Sequence, residues 1–271
     1  MVEARIQNKV VFLTGASGGI GRACAEMFAD EDVRLVLHGH EHFDEVQALA
    51  EELPGETLAV QGDIGDEGDV ERIFAEAVEA FGQLDVVVAN AGIWPPDPAP
   101  IHSMSLEQWQ RTITTNLTGT FLCAREFFRY LERARPDSAS LVLIGSTAAI
   151  FGEAGHADYA ASKAGLTYGL TKTLKNEIVA LVPAGRVNTV CPGWTLTRMT
   201  EEALRDHDLV VPTLQTRPIK KIARARDVAN AVVFLASDAL AGHITGEVLT
   251  VAGGMEGRIL HRPDEIDAAK A

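Results

Sequence analysis

The sequence predicts a single α/β domain, a doubly wound parallel sheet of seven strands with helices on both faces. Three observations predict it. Short apolar runs alternate with longer segments of helical period, the pattern of βαβ units. Several of those runs are rich in Val, Leu and Ile without polar alternation, as strands buried on both faces require. No repeat, low-complexity tract or shift in composition divides the 271 residues. A chain of this size buries roughly three-quarters of its unfolded surface, and 46% hydrophobic with 23% charged residues is ordinary globular composition.

The candidate strands are Val10 to Thr14, Val33 to His38, Thr57 to Gln61, Leu84 to Asn90, Ser140 to Ser146, Arg186 to Cys191 and Glu247 to Val251. Between the third and fourth, Val70, Ile73, Phe74, Ala77, Val78 and Phe81 recur at helical spacing, giving one apolar face for the core. Long helical stretches run from about Ser105 to Glu132 and from about His156 to Leu181, and shorter ones start near Gly19, Phe43 and Ala225. The prolines of Trp94-Pro95-Pro96-Asp97-Pro98-Ala99-Pro100 exclude helix and inner strand, so this segment reads as a loop. The stretch from about 195 to 222 contains Pro212 and Pro218 and reads as a long loop of the kind that forms lids. Residues 1–256 are expected to form the domain, and 257–271 an exposed polar tail.

A formal charge of -14 opposes binding to nucleic acid or to an anionic membrane, both of which need a basic surface. Cys24, Cys123 and Cys191 stand far apart in apolar stretches, a spacing that suits neither a disulfide framework nor a metal site. No span approaches membrane length, and no signal peptide follows Met1. A reduced, cytoplasmic setting is the expectation.

Thr14-Gly15-Ala16-Ser17-Gly18-Gly19-Ile20-Gly21 follows the first strand directly and opens a helix, which is the context of a dinucleotide phosphate site. Glycine permits the tight turn and the close approach of a pyrophosphate, while the helix N-terminus offers unpaired N–H groups. Gly15, Ser17, Gly19, Ile20 and Gly21 are therefore candidate cofactor contacts in a Rossmann-type crevice. The same residues satisfy G-x-S-x-G, a hydrolase nucleophile elbow that would make Ser17 the nucleophile, with Asp238 and His243 to follow. Fewer than twenty residues precede Ser17, whereas earlier strands usually precede such an elbow.

Tyr159 and Lys163 lie four apart in Tyr-Ala-Ala-Ser-Lys, on one helical face and about 6 Å apart along the axis. A phenol with a reference pKa of about 10 becomes a usable acid or base at neutral pH when an ammonium favours its phenolate. Oxidising an alcohol to a ketone needs such a base and a hydride acceptor, and the reverse needs the acid and the donor. The strand ending in Ser146 delivers its residue to the sheet edge that also carries the glycine turn.

From Lys9 to Met255 the chain resembles the short-chain dehydrogenase/reductase family, 3-oxoacyl-carrier-protein reductase-like members in particular. The motifs occur in the family's order: Thr14 to Gly21, Asp63-Ile64, Asn90-Ala91-Gly92, Asn116 within Thr115-Asn116-Leu117-Thr118-Gly119, Ser146, Tyr159 with Lys163, and Pro192-Gly193. The resemblance implies that Tyr159 is the acid/base and that Ser146 hydrogen-bonds the substrate oxygen. It implies too that Lys163 binds the nicotinamide ribose and acidifies Tyr159, and that Asn116 holds a water in a proton relay. Asp63 would meet the adenine with Ile64 packed near it, Asn90 would lie beside the adenosine ribose, and Gly92 would be a further cofactor contact. Thr195 and Thr197 would contact the nicotinamide amide or the phosphates, although Thr195 stands where the family often has Val or Ile.

The second strand ends in Leu37-His38-Gly39-His40-Glu41, with no acid at Gly39 to claim a ribose 2′-OH. His40 can donate to a 2′-phosphate, so NADP is favoured slightly over NAD, with Glu41 as the opposing feature. Trp94, Phe151, Trp194 and Met199 are expected to line a mostly apolar pocket for a small ketone or secondary alcohol. A 3-oxoacyl thioester or a general carbonyl compound fits that class. The family's habit of pairing subunits through its two long helices implies a homotetramer or homodimer. A non-catalytic dinucleotide sensor is the alternative, but mere binding needs no set of Asn116, Ser146, Tyr159 and Lys163.

Overall fold

The computed structural model describes residues 4–266. Seven strands form one parallel sheet: β1 (Val10–Leu13), β2 (Arg34–Gly39), β3 (Thr57–Gln61), β4 (Val86–Ala89), β5 (Ser138–Ile144), β6 (Ala184–Pro192) and, last in the chain, β9 (Val248–Val251). Two further strands, β7 (Thr195–Leu196) and β8 (Ala223–Arg224), pair only with each other. The large sheet runs β3-β2-β1-β4-β5-β6-β9, so the chain winds outward from β1, returns, and winds out on the other side. That reversal opens a crevice beyond the carboxyl ends of β1 and β4, where α/β sheets bind ligands.

Alternate residues of each strand enter opposite layers. Val11 and Leu13 of β1 pack with Leu35, Leu37, Val86 and Val88 beneath α1 (Gly19–Ala29), α2 (Phe43–Glu52) and α10 (Ala225–Ala236). Val10 and Phe12 pack on the other face, beneath α3 (Glu67–Phe81) and the helices after β4 and β5. This period of two, apolar on both sides, is why the strands read as continuous hydrophobic runs. The expected starts of α1, α2 and α10 match those observed, and the strand ends shift by one or two residues.

Both long helices contain a feature their periodicity hides. The first is α4 (Leu106–Ile113), a π turn (Thr114–Thr118) and α5 (Gly119–Ala134). The second follows the short α6 (Ala148–Phe151) and consists of α7 (Ala157–Ala164), a π turn (Gly165–Leu170) and α8 (Thr171–Leu181). A π turn adds a residue to one helical turn and re-aims the side chains on it, which is how such turns come to lie at functional sites.

The segment 195–222, expected as a loop, is more ordered than its prolines suggest. Its base is tied by the β7–β8 pairing, and it contains α9 (His207–Gln215), with Pro212 inside that helix. The Asp206 carboxylate accepts the Asp208 N–H at 2.9 Å and caps α9. The tail is largely exposed, yet it does not simply trail away. Gln215 and His261 exchange hydrogen bonds, His261 Nε2 lies 2.8 Å from the Arg217 carbonyl, and Ile266 joins Val210, Leu214 and Trp194 in a small cluster. A short helix, α11 (Asp238–Ala241), follows α10, and among the described residues no helix is long and apolar enough to cross a membrane. Residues 1–3, and 267–271 of the expected tail, lie outside the described residues.

Phe28 of α1 is fully buried among the residues that join α1 to α10 and the sheet. Phe28→Ala is expected to lower the unfolding free energy by about 3–5 kcal/mol through lost transfer energy and a residual cavity. The shift of a urea midpoint at unchanged slope is the measurement.

Candidate active site

Two glycines of the turn, Gly15 and Gly21, are fixed by how closely another backbone approaches them. Gly15 has φ +67°, and a Cβ there would stand 2.8 Å from Ala91 Cα. A Cβ on Gly21 would stand 2.1 Å from the Gly15 carbonyl oxygen. Gly18 caps α1 with no side-chain hydrogen bond, so the helix's first N–H groups are left for a ligand. Thr14 Oγ1 accepts the Asn90 and Ala91 N–H groups, each at 2.9 Å, and Asn90 Nδ2 donates to the Thr14 and Gly15 carbonyls. Asn90 thus joins the end of β4 to the turn after β1.

Sequence reasoning missed a second brace. His38, only 2% exposed in β2, accepts the Gly15 N–H on Nδ1 at 3.2 Å and holds Nε2 2.9 Å from the Gly62 carbonyl. Only an imidazole with its proton on Nε2 makes both bonds. Burial pulls its pKa below the usual histidine value, against the opposing hydrogen bond to Gly62, and favours that neutral form. A lone imidazole in the buried run from Leu35 to Gly39 was the available signal.

The catalytic candidates meet at the far end of the same cleft, a cavity of about 690 Å³ lined by residues from the ends of β1, β2, β4, β5 and β6. Ser146, Tyr159 and Lys163 all line it, as do Gly15, Ser17, Gly19, Ile20, Gly21, His40, Asp63, Ile64, Asn90, Gly92, Thr195 and Thr197. Tyr159 and Lys163 share a face of α7, with the ammonium 5.8 Å from the phenol ring centroid. Lys163 Nζ donates to the Ile144 carbonyl at 2.8 Å, and a Cβ on Gly92 would crowd both it and Asn116 Oδ1.

Asn116 sits in the π turn, fully buried, and clamps Ile93: its Oδ1 accepts the Ile93 N–H at 2.7 Å while Nδ2 donates to the Ile93 carbonyl at 2.9 Å. Its amide is bound to backbone from another loop, and a further bond reaches Ser162 Oγ. Asp63 accepts the Gly65 N–H at 2.8 Å, which fixes the turn after β3 and leaves Ile64 buried at its edge.

Burial dominates the titration of the pair. It pushes Tyr159 up to about 12, with the Ser146 hydroxyl pulling the other way, and brings Lys163 down to about 8. At neutral pH the phenol therefore keeps its proton and the lysine its charge.

Trp94, Trp194 and Met199 line the cleft, whereas Phe151, 44% exposed at the end of α6, is not among the lining residues. Glu153 and Arg198 join the lining without having been singled out in the sequence. Arg198 pairs with Glu45 of α2 at 2.7 Å, and a Cβ on Gly19 would stand 2.8 Å from Thr197 Cγ2. The segment after β7 thus closes over the glycine turn. Thr195 Oγ1 donates to the Gly193 carbonyl at 2.9 Å, so its hydroxyl serves the turn that carries it.

These residues fit a nicotinamide dinucleotide: a glycine turn that any side chain would fill, a free helix N-terminus, and a cleft long enough to end at Tyr159. The family model described as enoyl-(acyl carrier protein) reductase matches residues 15–256. A 3-oxoacyl-[acyl-carrier-protein] reductase from Synechocystis sp. is 34% identical over 250 residues, covering 91% of this chain and 96% of the relative. A cis-4-hydroxycyclohexanecarboxylate dehydrogenase from Sinomonas cyclohexanicum is 36% identical over 249 residues, covering 91% and 96%. A crystal structure from Brucella melitensis, titled short-chain dehydrogenase/reductase SDR:glucose/ribitol dehydrogenase, superposes with a TM-score of 0.85 at 34% identity, over 95% of this chain and 100% of that one. With a parallel sheet of this order, motifs in register and likeness along nearly the whole chain, this protein belongs to the short-chain dehydrogenase/reductase family and is an NAD(P)-dependent oxidoreductase of ketone and CH–OH groups.

Proposed function

We propose that this enzyme reduces a small ketone to a secondary alcohol, and oxidises the alcohol in reverse, with Tyr159 as the residue that transfers the proton. The convergence of Ser146, Tyr159 and Lys163 in the cleft that begins at the glycine turn carries this reading. The bound dinucleotide supplies or accepts the hydride. Ser146 hydrogen-bonds the substrate oxygen as charge develops on it, and Tyr159 hands that oxygen its proton. Lys163 orients the nicotinamide ribose and keeps a positive charge beside the phenol. Asn116, by clamping Ile93, holds the loop after β4 against the relay and positions the water that links Lys163 to solvent.

NADP(H) is the proposed coenzyme. Gly39 leaves no carboxylate at the end of β2, and His40, exposed at the cleft, suits a 2′-phosphate. Asp63, Ile64 and Asn90 serve the adenosine half, Gly92 lies against Lys163 and Asn116, and Thr195 and Thr197 serve the nicotinamide half. A homodimer or homotetramer through the two long helices is supported by Phe121, Tyr168 and Val179, large apolar side chains 43%, 47% and 50% exposed on them. The cytoplasm, a reducing compartment, suits three free, buried cysteines.

In a dihydronicotinamide absorbance assay, Tyr159→Phe is expected to lose about 10²–10⁴-fold in kcat, the usual worth of a positioned acid. Coenzyme affinity should be unchanged, and NADPH should give the higher kcat/KM over NADH. An active Phe variant removes Tyr159 from the role.

The pH dependence follows from Lys163. Its charge is present below its pKa of about 8 and lost above it, so ketone reduction should hold through neutral pH and decline as pH rises past about 8. Lys163→Arg, weaker overall but permanently charged, should lack that alkaline limb.

Removing the brace of the glycine turn tests coenzyme binding. His38→Leu leaves the Gly15 N–H and the Gly62 carbonyl without partners, and the NADPH dissociation constant should rise about tenfold, since an orphaned buried group costs about 1–3 kcal/mol. Titration by nucleotide fluorescence reads this directly, and an unaltered constant would show that the turn holds itself.

A further inference from the structure

The substrate end of the cleft contains one feature that an apolar ketone would leave unused. Glu153, 24% exposed at its side chain, lines the cleft together with Tyr159 and Ser146. Its Oε1 accepts the Trp94 indole N–H at 3.1 Å and stands 3.9 Å from His156 Nε2. The other oxygen, Oε2, has no donor among the described residues, and no lysine or arginine pairs with this carboxyl there. Arg198, which lines the same cleft from the segment after β7, is paired with Glu45. The carboxyl is close enough to the catalytic phenol for its charge to oppose phenolate formation.

A carboxyl half-withdrawn from water keeps an unpaired oxygen only at a free-energy cost, which an incoming donor removes. Its surroundings restrict the donor. Trp94 lies edge-on to Trp194, ring centroids 5.7 Å apart at 81°, and 4.8 Å from the His156 ring. These rigid faces suit the C–H side of a small ring or short carbon chain. Burial raises the Glu153 carboxyl above its usual range, with His156 and Trp94 acting in the opposite sense. Such a group suits a neutral hydroxyl better than a full cation, because a hydroxyl bonds to either of its protonation states.

We propose that Glu153 is a specificity-determining residue whose free oxygen accepts a hydrogen bond from a hydroxyl close to the reacting carbon, so that the substrates are hydroxyketones and the corresponding diols or polyols. This rests on the ketone-reducing reading of the same cleft. The carbonyl carbon receives the hydride and its oxygen the Tyr159 proton, giving a diol and oxidised coenzyme. The neighbouring hydroxyl and Glu153 exchange no proton in the net reaction.

The test compares matched substrates with NADPH: 2-hydroxycyclohexanone against cyclohexanone, 3-hydroxybutan-2-one against butan-2-one, and acetoacetyl-CoA beside them. The wild-type enzyme should favour each hydroxyketone by about tenfold or more in kcat/KM, the discrimination expected of a hydrogen bond to a charged group. In Glu153→Leu that ratio should fall to within about twofold of one, and in Glu153→Gln, which keeps a carbonyl acceptor, part of it should survive. The plain ketone serves as internal reference, so partial unfolding of a variant lowers both rates and leaves the ratio readable. A wild-type ratio near one, a ratio that persists in Glu153→Leu, or faster reduction of acetoacetyl-CoA than of the hydroxyketones overturns the inference while leaving ketone reduction intact. If the wild-type enzyme oxidises NADPH with none of these compounds, the ketone-reducing reading fails and the Glu153 inference falls with it.

Discussion

Close contact between two backbone turns, the one after β1 and the one after β4, is the constraint on which the rest of the site depends. Gly15 and Ala91 meet at a separation that admits no Cβ on the glycine, and Thr14, Asn90 and His38 hold them there with hydrogen bonds from three different strands. That contact exists because the sheet reverses its winding between β1 and β4. Two strands that are neighbours in space but far apart in sequence then end at one edge, and the coenzyme turn, the Asn116 clamp and the α7 residues all register from it.

Dry surroundings give the Tyr159–Lys163 pair its character. Tyr159 and Lys163 are moved by burial in opposite directions, the phenol toward keeping its proton and the ammonium toward losing one. In the proposed reaction a phenol so placed would be the acid for a substrate oxyanion, and the lysine would supply charge that water screens poorly. The bond from Lys163 to the Ile144 carbonyl fixes that charge at the end of β5, close to where Ser146 leaves the strand. In that reaction the arrangement would act through preorganisation, since the groups need not move when the hydride does.

The sheet, its helices and the residues that meet in the cleft were legible because each rests on a local pattern: an apolar run, a helical period, a spacing of four, a glycine turn after a strand. What was hidden rests on contacts across the chain. Nothing in the periodicity of residues 105 to 134 shows the π turn that turns Asn116 toward Ile93. Pro212 argued for a loop, yet a capped helix forms around it because Val210 and Leu214 have Trp194 and Ile266 to pack against. Phe151 looked like pocket lining by its type alone, and the turn at Gly152 leaves it exposed instead. Glu153, two residues further on, is the side chain that enters the cleft.

The segment between β7 and β8 links the two halves of the site. Its base is a two-residue pairing, its first turn packs Thr197 on Gly19, and Arg198 reaches across to Glu45 of α2. Trp194, just before it, and Met199 within it line the cleft. A displacement of this segment would open the glycine turn and disturb that stretch of cleft wall together, because the same few residues serve both. The exposed Arg198 ion pair contributes little on its own. On the proposed function coenzyme and substrate binding would share one element, and any interaction that steadies that element for the first ligand would prepare it for the second.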